Sequence, residues 1–261
     1  MLNEPALSPA DALRWYLAAG VDEVIGEQAI DRYAQSAKPA PARLPAQAAA
    51  AAPMPSAAPE QASSAHLALE ATDLAQLKAA MESYEGCALK RTCQRTVFAD
   101  GDPSARLMIV GEAPGADEDR LGLPFVGASG KLLDRMLASI GLDRTSAYIT
   151  NVVPWRPPGN RKPEPAEVEL CLPFITRHIE LVDPAVLLLL GGAAVSALLA
   201  RTDSITRLRG GFIDYASPRL AAPIPAMPTF HPAYLLRTPL QKREVWRDLL
   251  LVKQRLDSAV R

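Results

Sequence analysis

The chain has few cysteines, and their number and spacing restrict its environment and its metal chemistry. Its 261 residues include only Cys87, Cys93 and Cys171, and no two of them form a Cys-x-x-Cys pair. An odd number of cysteines without a secretion signal is typical of reduced thiols, so we expect a cytoplasmic protein. On this count alone, buried or partly exposed free thiols are favoured over a metal site.

Long apolar runs and a strong net charge are also missing. No run reaches the roughly 18 apolar residues of a membrane span, and the first residues lack the basic start and apolar core of a signal peptide. We therefore expect no contact with a membrane. The formal net charge of −1 gives no support for broad nucleic-acid affinity. It does not exclude a local basic surface that binds nucleic acid, because the distribution of charge matters more than its sum.

Two common nucleotide-binding motifs are absent, and a different glycine-rich loop stands out. The chain has no Gly-x-Gly-x-x-Gly fingerprint, and Ala128 occupies the position where a phosphate loop would carry lysine. A long acidic loop, residues 111–127, instead joins an apolar strand to a helix. In α/β proteins ligands bind beyond the carboxyl ends of parallel strands. A purely structural turn is the alternative explanation of these glycines.

Composition divides the chain into three parts. Residues 1–36 have the pattern of a short helical segment, too small to be stable alone, which docks on the main domain or recruits a partner protein. In residues 37–64, 12 of 28 are alanine and 6 are proline, which predicts a disordered linker. Residues 65–261 alternate apolar strands with helices. They predict a three-layer α/β/α sandwich with a central, mainly parallel four-stranded sheet.

Three of the predicted strands end in loops with unusual side chains. One leads into the acidic loop, one ends at Asn151 before a basic stretch, and one ends at His231-Pro-Ala-Tyr-Leu-Leu-Arg237. Parallel strands place their carboxyl ends at one edge of the sheet. Five side chains are therefore expected to converge there, namely Glu112, Glu118, Phe125, Asn151 and His231.

These three segments, 111–127, 151–161 and 231–237, together resemble uracil-DNA glycosylases, most closely family 4. The resemblance spans roughly residues 82–255. It implies a monomeric repair enzyme of the bacterial nucleoid that hydrolyses the N-glycosidic bond of uracil in DNA and leaves an abasic site. Two alternatives are a catalytically silent DNA-binding repair accessory of the same fold and a hydrolase of free nucleosides.

The resemblance assigns roles around a flipped-out base. It implies that Phe125 stacks on uracil, that Asn151 reads the base edge, and that His231 supports the leaving anion at O2. An asparagine amide offers an acceptor and donors that match N3–H and O4 of uracil but clash with cytosine. The alternatives are a core phenylalanine, an asparagine cap and a structural histidine. His178 lacks such a motif and is expected on the surface of a helix.

The acidic loop departs from the better-known family of these enzymes. There an aspartate follows the equivalent of Glu112, whereas this chain has Ala113, as in family 4. Glu112, the loop backbone or both are therefore expected to hold the attacking water, and Gly111 and Ala113 are assigned to the uracil pocket. Glu118 is predicted to exclude the thymine methyl group at C5, with a solvated surface charge as the alternative.

The resemblance also assigns contacts with the DNA. Leu235, with Leu236 and Arg237, resembles the loop that fills the gap left by the flipped base. An apolar side chain can insert into the base stack at such a gap. Side chains of four further basic residues are expected to hold backbone phosphates. These are Lys131, Arg156, Arg161 and Lys162.

The cysteines depart from the family pattern. Family 4 members usually bind a four-iron cluster through four cysteines, whose places fall here at Tyr84, Cys87, Trp155 and Cys171. Only two of the four are cysteine, and a cubane needs four ligands. We therefore expect that the cluster is lost, that the protein has no cofactor, and that the two aromatic rings fill the space. Cys93 as a substitute ligand is the alternative.

Overall fold

A computed structural model describes residues 63–258. The predicted helical segment of residues 1–36 and nearly all of the predicted linker lie outside the described residues. The linker was predicted to run through residue 64, but the first helix begins at Ser64, with Ser63 as its cap. The Ser63 hydroxyl accepts a hydrogen bond from the amide of His66, which is a normal way to start a helix.

The described residues contain one six-stranded sheet with the strand order β1-β3-β2-β4-β6-β5. Strands β2, β3, β4 and β6 are parallel, as predicted, while β1 and β5 pair antiparallel at the two edges. The predicted number of four strands was therefore too small. The bounds are β1 Asp100–Gly101, β2 Leu107–Gly111, β3 Tyr148–Asn151, β4 Val186–Leu190, β5 Ile213–Tyr215 and β6 Ile224–Thr229.

Helices connect the strands and cover the sheet. Their bounds are α1 Ser64–Glu70, α2 Leu74–Ser83, α3 Ala116–Leu121, α4 Ala128–Ala138, α5 Pro165–Val182, α6 Gly192–Leu199, α7 Ile205–Leu208, α8 Pro232–Arg237 and α9 Lys242–Ser258. No helix among residues 63–258 has the length and hydropathy needed to cross a lipid bilayer.

Two apolar cores lie on opposite faces of the sheet, which confirms the predicted three layers. Successive side chains of a strand point to opposite faces. In β2, Met108 and Val110 belong to the core that includes α5, while Leu107 and Ile109 belong to the core that includes α4 and α9. Because both faces are covered, every residue of β2 and β4 is buried. This explains their uninterrupted apolar sequences.

His178 has a different environment from the one its sequence suggested. Its position in a helix without a motif predicted a surface residue, but the side chain is 1% exposed. The imidazole Nε2 lies 2.8 Å from the hydroxyl of Tyr148, and the ring stacks on Phe98 with the centroids 4.4 Å apart. Burial lowers the pKa of His178 to about 3, so a neutral histidine is part of the core.

Candidate active site

The carboxyl ends of β2, β3 and β6 open onto a cavity of about 530 Å³. Its walls come from the acidic loop, the basic loop after β3 and the start of α8. The five side chains that were expected to converge all border it, namely Glu112, Glu118, Phe125, Asn151 and His231. This is the edge at which open α/β sheets bind ligands.

Gly111, at the end of β2, allows two other residues to reach the cavity. It lies opposite Asn151 in the parallel pairing of β2 with β3. A Cβ atom on Gly111 would be 2.4 Å from Oδ1 of Asn151 and 2.5 Å from the ring of Phe125. Any larger residue would therefore displace the amide, the ring or both.

Asn151 carries an unused acceptor. Its side chain borders the cavity and is only 5% exposed, and its Oδ1 has no hydrogen-bond partner among the described residues. Buried amide oxygens are normally satisfied, since leaving one unpaired costs about 1–3 kcal/mol. A ligand with an N–H group at this point would complete the site. An acceptor without a partner does not act as a structural cap.

Phe125 forms a wall of the cavity although its side chain is only 5% exposed. Its ring lies 5.6 Å from that of His231, and the two planes are inclined by 31°. The residue thus belongs to the core and also borders the cavity. Its φ of 53° is in the left-handed region, which is uncommon for a bulky residue.

His231 is the N-cap of α8, and this position determines its tautomer. Its Nδ1 accepts a hydrogen bond of 3.1 Å from the amide of Ala233. The proton of the neutral ring is therefore on Nε2, which makes Nε2 a donor. Burial lowers the pKa of His231 to about 4, and the charge of Arg237 acts in the same direction. At neutral pH the cavity is bordered by an uncharged imidazole.

Glu112 follows Gly111 directly and provides a carboxyl group at the border of the cavity. Its backbone is fixed because the carbonyl accepts a hydrogen bond of 3.0 Å from the amide of Val153. Burial raises the pKa of Glu112, and the nearby charge of Lys162 partly offsets that rise. Ala113 also borders the cavity. The position after Glu112, where the better-known family has an aspartate, therefore carries no carboxylate.

Glu118 holds the acidic loop in shape. One carboxylate oxygen accepts hydrogen bonds of 2.9 Å from the amides of Val126 and Gly127, and the other accepts one of 3.1 Å from the amide of Gly115. The alternative of a solvated charge is therefore wrong. The residue borders the cavity, while exclusion of a methyl group at C5 stays a prediction.

The structure corrects the predicted wedge. Leu235 is 1% exposed and packs in the core, so it is not available to enter DNA. The helical turn of α8 directs it inward, while Leu236 next to it is 46% exposed. Leu240, just beyond the helix, is 89% exposed, and an exposed leucine beside a proline has no distinctive sequence pattern.

The predicted phosphate-binding residues fall into two groups. Arg161 forms a bidentate ion pair with Glu167, with distances of 2.6 and 2.8 Å, and Arg156 donates to Asn160 over 2.7 Å. These two guanidinium groups therefore shape the basic loop. Lys131 and Arg237 are exposed, and Arg237 borders the cavity. Contact with phosphate stays a prediction for every residue to which it was assigned.

The four positions of the family's iron cluster come together in one buried place. The rings of Tyr84 and Trp155 stack with centroids 6.2 Å apart, and Trp155 is 0% exposed. A hydrogen bond from Cys171 contributes most to lowering the pKa of Cys87 to about 7. Two thiols beside a packed indole do not fit a four-iron cluster, which needs four ligands. No group of three potential metal ligands occurs in the described part of the chain.

A buried polar network, missed from the sequence, fixes the end of β6 close to His231. The hydroxyl of Thr229 donates to the carboxylate of Asp248 over 2.6 Å. Arg209 donates to both oxygens of that carboxylate, over 2.7 and 3.1 Å, and covers the ring of Phe230. In the sequence Asp248 looks like any polar residue of an amphipathic helix, so no signal pointed to it.

Comparison with known proteins agrees with this geometry. Residues 98–250 match the uracil DNA glycosylase superfamily. A type-4 uracil-DNA glycosylase of Archaeoglobus fulgidus is 42% identical over 170 residues, which cover 64% of this chain and 84% of that protein. One of Sulfurisphaera tokodaii is 37% identical over 186 residues, which cover 69% of this chain and 84% of that protein.

A third relative extends the likeness to a bacterium. A type-4 uracil-DNA glycosylase of Thermotoga maritima is 41% identical over 152 residues, covering 58% of this chain and 77% of that protein. The superfamily match includes every residue that borders the cavity. By this match and by its relatives, the chain belongs to the uracil DNA glycosylase superfamily and, within it, to the type-4 group.

Proposed function

We propose that this protein is a DNA repair glycosylase that hydrolyses the N-glycosidic bond of uracil in DNA, releasing free uracil and leaving an abasic site. The observation that carries the proposal is the buried Oδ1 of Asn151, which has no hydrogen-bond partner among the described residues and belongs to a side chain that borders the cavity. Uracil has an N3–H donor to meet it and an O4 acceptor for the amide nitrogen. The type-4 relatives support the same activity.

In this proposal, uracil is selected inside the cavity. A base inside duplex DNA cannot reach a pocket at the end of a sheet, so the nucleotide must be flipped out of the stack. Phe125 then stacks on the base, and Asn151 reads its edge. Cytosine has no hydrogen at N3, so its lone pair would face Oδ1 and leave both acceptors unpaired. Such a mismatch in a desolvated site disfavours the wrong base.

His231 and Glu112 support the two charges that develop as the bond breaks. The electron pair of the glycosidic bond moves to uracil, and Nε2–H of His231 donates to the developing negative charge at O2. The sugar becomes cationic, which the carboxylate of Glu112 stabilises. Water held by Glu112 and the backbone of the loop then adds to C1′, and the carboxylate of Glu112 accepts the proton that the water loses. Donors fixed in place before the reaction lower its barrier without reorganisation.

Contacts with the DNA are proposed for the exposed residues of the same edge. Leu236 is proposed to fill the gap left by the flipped nucleotide, since an apolar side chain can replace a stacked base. Lys131 and Arg237 are exposed cations for the flanking phosphates. Arg156 and Arg161 shape the loop beside the cavity and offer their remaining N–H groups to the backbone.

Uracil release from an oligonucleotide tests the proposal. We expect the protein to release free uracil from a strand with a single uracil, but no base from matched strands with thymine or cytosine. The Asn151→Ala variant, purified identically, controls for contaminating glycosylases. Binding without release would support the silent repair accessory, and release from deoxyuridine but not from DNA would support a nucleoside hydrolase.

The pH dependence of excision should follow Glu112 rather than His231. Because the pKa of His231 is lowered to about 4, its ring stays neutral as the pH passes through the ordinary range of histidine near 6.5. Because the pKa of Glu112 is raised, Glu112 is protonated first as the pH falls, and the charge that stabilises the sugar is lost. We expect a rate that is flat above neutrality and declines on the acid side.

Single-turnover rates of wild type and Glu112→Gln measure this pH dependence, and the variant should lack the decline. A transition centred near pH 6.5 that persists in Glu112→Gln would assign the titration to histidine instead.

The aromatic pair is proposed to replace the iron cluster as the support of this region. We expect Trp155→Ala to lower the free energy of unfolding by about 3–5 kcal/mol, the usual cost of emptying a large buried site. Denaturant unfolding measures it, with Trp246→Ala, at a 43% exposed position, as the matched control. Protein purified without oxygen should be colourless, and about four irons per chain would contradict the proposal.

The leading residues are proposed to serve recruitment rather than chemistry. All residues that border the cavity lie within residues 112–237. A truncated chain that begins at residue 63 should therefore excise uracil at the rate of the full chain in single-turnover assays. A folded truncated chain without activity would contradict this. We further propose a monomer that acts in the cytoplasm on the nucleoid, with residues 1–36 binding a partner protein.

A further inference from the structure

We propose that Arg144 is a positioning residue for Phe125, acting from behind the cavity wall. The inference rests on the proposed function, because it concerns the ring that stacks on uracil. Arg144 lies in the turn before β3 and does not border the cavity. Its Nη1 donates to the carbonyl of Pro124 over 3.2 Å, and its Nη2 donates to the carbonyl of Phe125. One guanidinium therefore holds two consecutive carbonyls.

Phe125 needs such a hold because of its backbone conformation. With a φ of 53°, it is in the left-handed region that a residue with a large side chain rarely adopts. A relaxed backbone would turn the ring away from the position beside His231. Conformations of this kind persist only where the surrounding structure enforces them, and they concentrate at ligand sites.

The first turn of α4 blocks the same carbonyl from another direction. A Cβ atom on Gly130 would lie 1.7 Å from the carbonyl oxygen of Phe125, so the helix backbone is in close approach to it. The carbonyl is thus confined between Gly130 and the guanidinium of Arg144. Movement of the Phe125 backbone, from which the ring projects, requires that one of these two contacts be broken.

The guanidinium itself is fixed by two carboxylates from different elements. Nε donates to Asp134 of α4 over 2.8 Å, and Nη1 donates to Asp100 of β1. The side chain is 24% exposed, so these contacts are partly shielded from water. Charge-assisted bonds from a planar fork impose a direction that a lysine ammonium does not. Arg144 therefore fixes the backbone of Phe125 relative to α4 and β1.

A double-mutant cycle tests whether Arg144 acts through the ring. We expect Arg144→Met to lower single-turnover uracil excision by ~10-fold, a loss in the range of one base stacked on an aromatic ring. In a Phe125→Ala background the same change should have almost no effect, because the ring that it positions is gone. Equal fold-losses in both backgrounds would overturn the proposal.

Affinity provides a readout that does not need turnover. We expect Arg144→Met to weaken binding of an oligonucleotide that contains uncleavable 2′-fluorodeoxyuridine by ~10-fold, about the contribution of one base stacked on an aromatic ring. Binding of the matched thymine strand should stay unchanged. Equal weakening for both strands would overturn the proposal. A wild type that binds but releases no uracil contradicts the proposed function and leaves this comparison valid.

Two further variants separate positioning from folding. Arg177 is also a shielded arginine, 12% exposed, that donates to a carbonyl and a carboxylate, those of Ala71 and Glu180, over 2.9 and 3.0 Å. Arg177→Met should leave the rate of the folded protein unchanged. Asp134→Asn loosens only the anchor of Arg144, and its smaller loss of rate should also vanish in the Phe125→Ala background. If Arg144→Met does not fold, Asp134→Asn tests the proposal instead. A loss of excision rate from Asp134→Asn that persists in the Phe125→Ala background would overturn it.

Discussion

Replacement of His231 by alanine is expected to lower the rate of uracil excision by ~100- to 1000-fold, the usual effect of removing a donor that faces developing charge. The Nδ1 hydrogen bond with Ala233 leaves the proton on Nε2, and burial keeps the ring neutral. The donor is therefore in place before the bond breaks. Because it acts on charge that appears only in the transition state, affinity for uracil-containing DNA should change little.

Single-turnover kinetics with excess enzyme measure the loss, and fluorescence anisotropy with an uncleavable uracil analogue measures the affinity. His66→Ala is the matched control, since His66 is an exposed histidine of α1 that pairs with Glu70 over 3.2 Å outside the site. It should leave both quantities unchanged. An unaltered excision rate in His231→Ala would show that another group supports the leaving uracil.

The sequence predicted the central strands because their burial leaves a clear pattern. The apolar runs of β2 and β4 have no polar residue to solvate, and only a sheet covered on both faces accepts them. Strands β1 and β5 were missed because two or three residues are too short to show a period. They exist because the edges of β3 and β6 offer unpaired backbone groups, which is a property of the folded chain.

The site was predictable where chemistry follows a strand end and was not where tertiary contacts decide. Asn151 ends β3 and His231 closely follows the end of β6, so the parallel topology brings them together. Leu235 and Leu236 differ only in the helical phase of α8, and the packing of α8 on the core selects which one is exposed. The role of Arg144 depends on carbonyls about 20 residues earlier in the chain, and a single arginine in a turn gives no hint of them.

Asn151→Ala should abolish most excision while leaving the fold intact. We expect a loss of ~100-fold or more, because the amide both orients the base and supports charge that spreads onto O4 of the leaving uracil. The free energy of unfolding should change by less than about 1 kcal/mol. In the free protein Oδ1 has no partner among the described residues, so its removal breaks no hydrogen bond there and relieves a desolvated acceptor.

Thr150 is the matched control, because it precedes Asn151 in the same strand and its hydrogen bond is already made. It is 2% exposed, and its hydroxyl donates to the carbonyl of Phe98 over 2.6 Å. Thr150→Val should lower stability by about 1–2 kcal/mol, since it breaks an existing bond, without changing excision by the folded protein. Denaturant unfolding measures the free energy of unfolding of both variants, and single-turnover assays measure their excision rates. If Asn151→Ala instead lost about 3 kcal/mol of stability, Asn151 would be a structural hydrogen bonder, and the loss of excision would follow from a distorted sheet edge rather than from a missing contact with uracil.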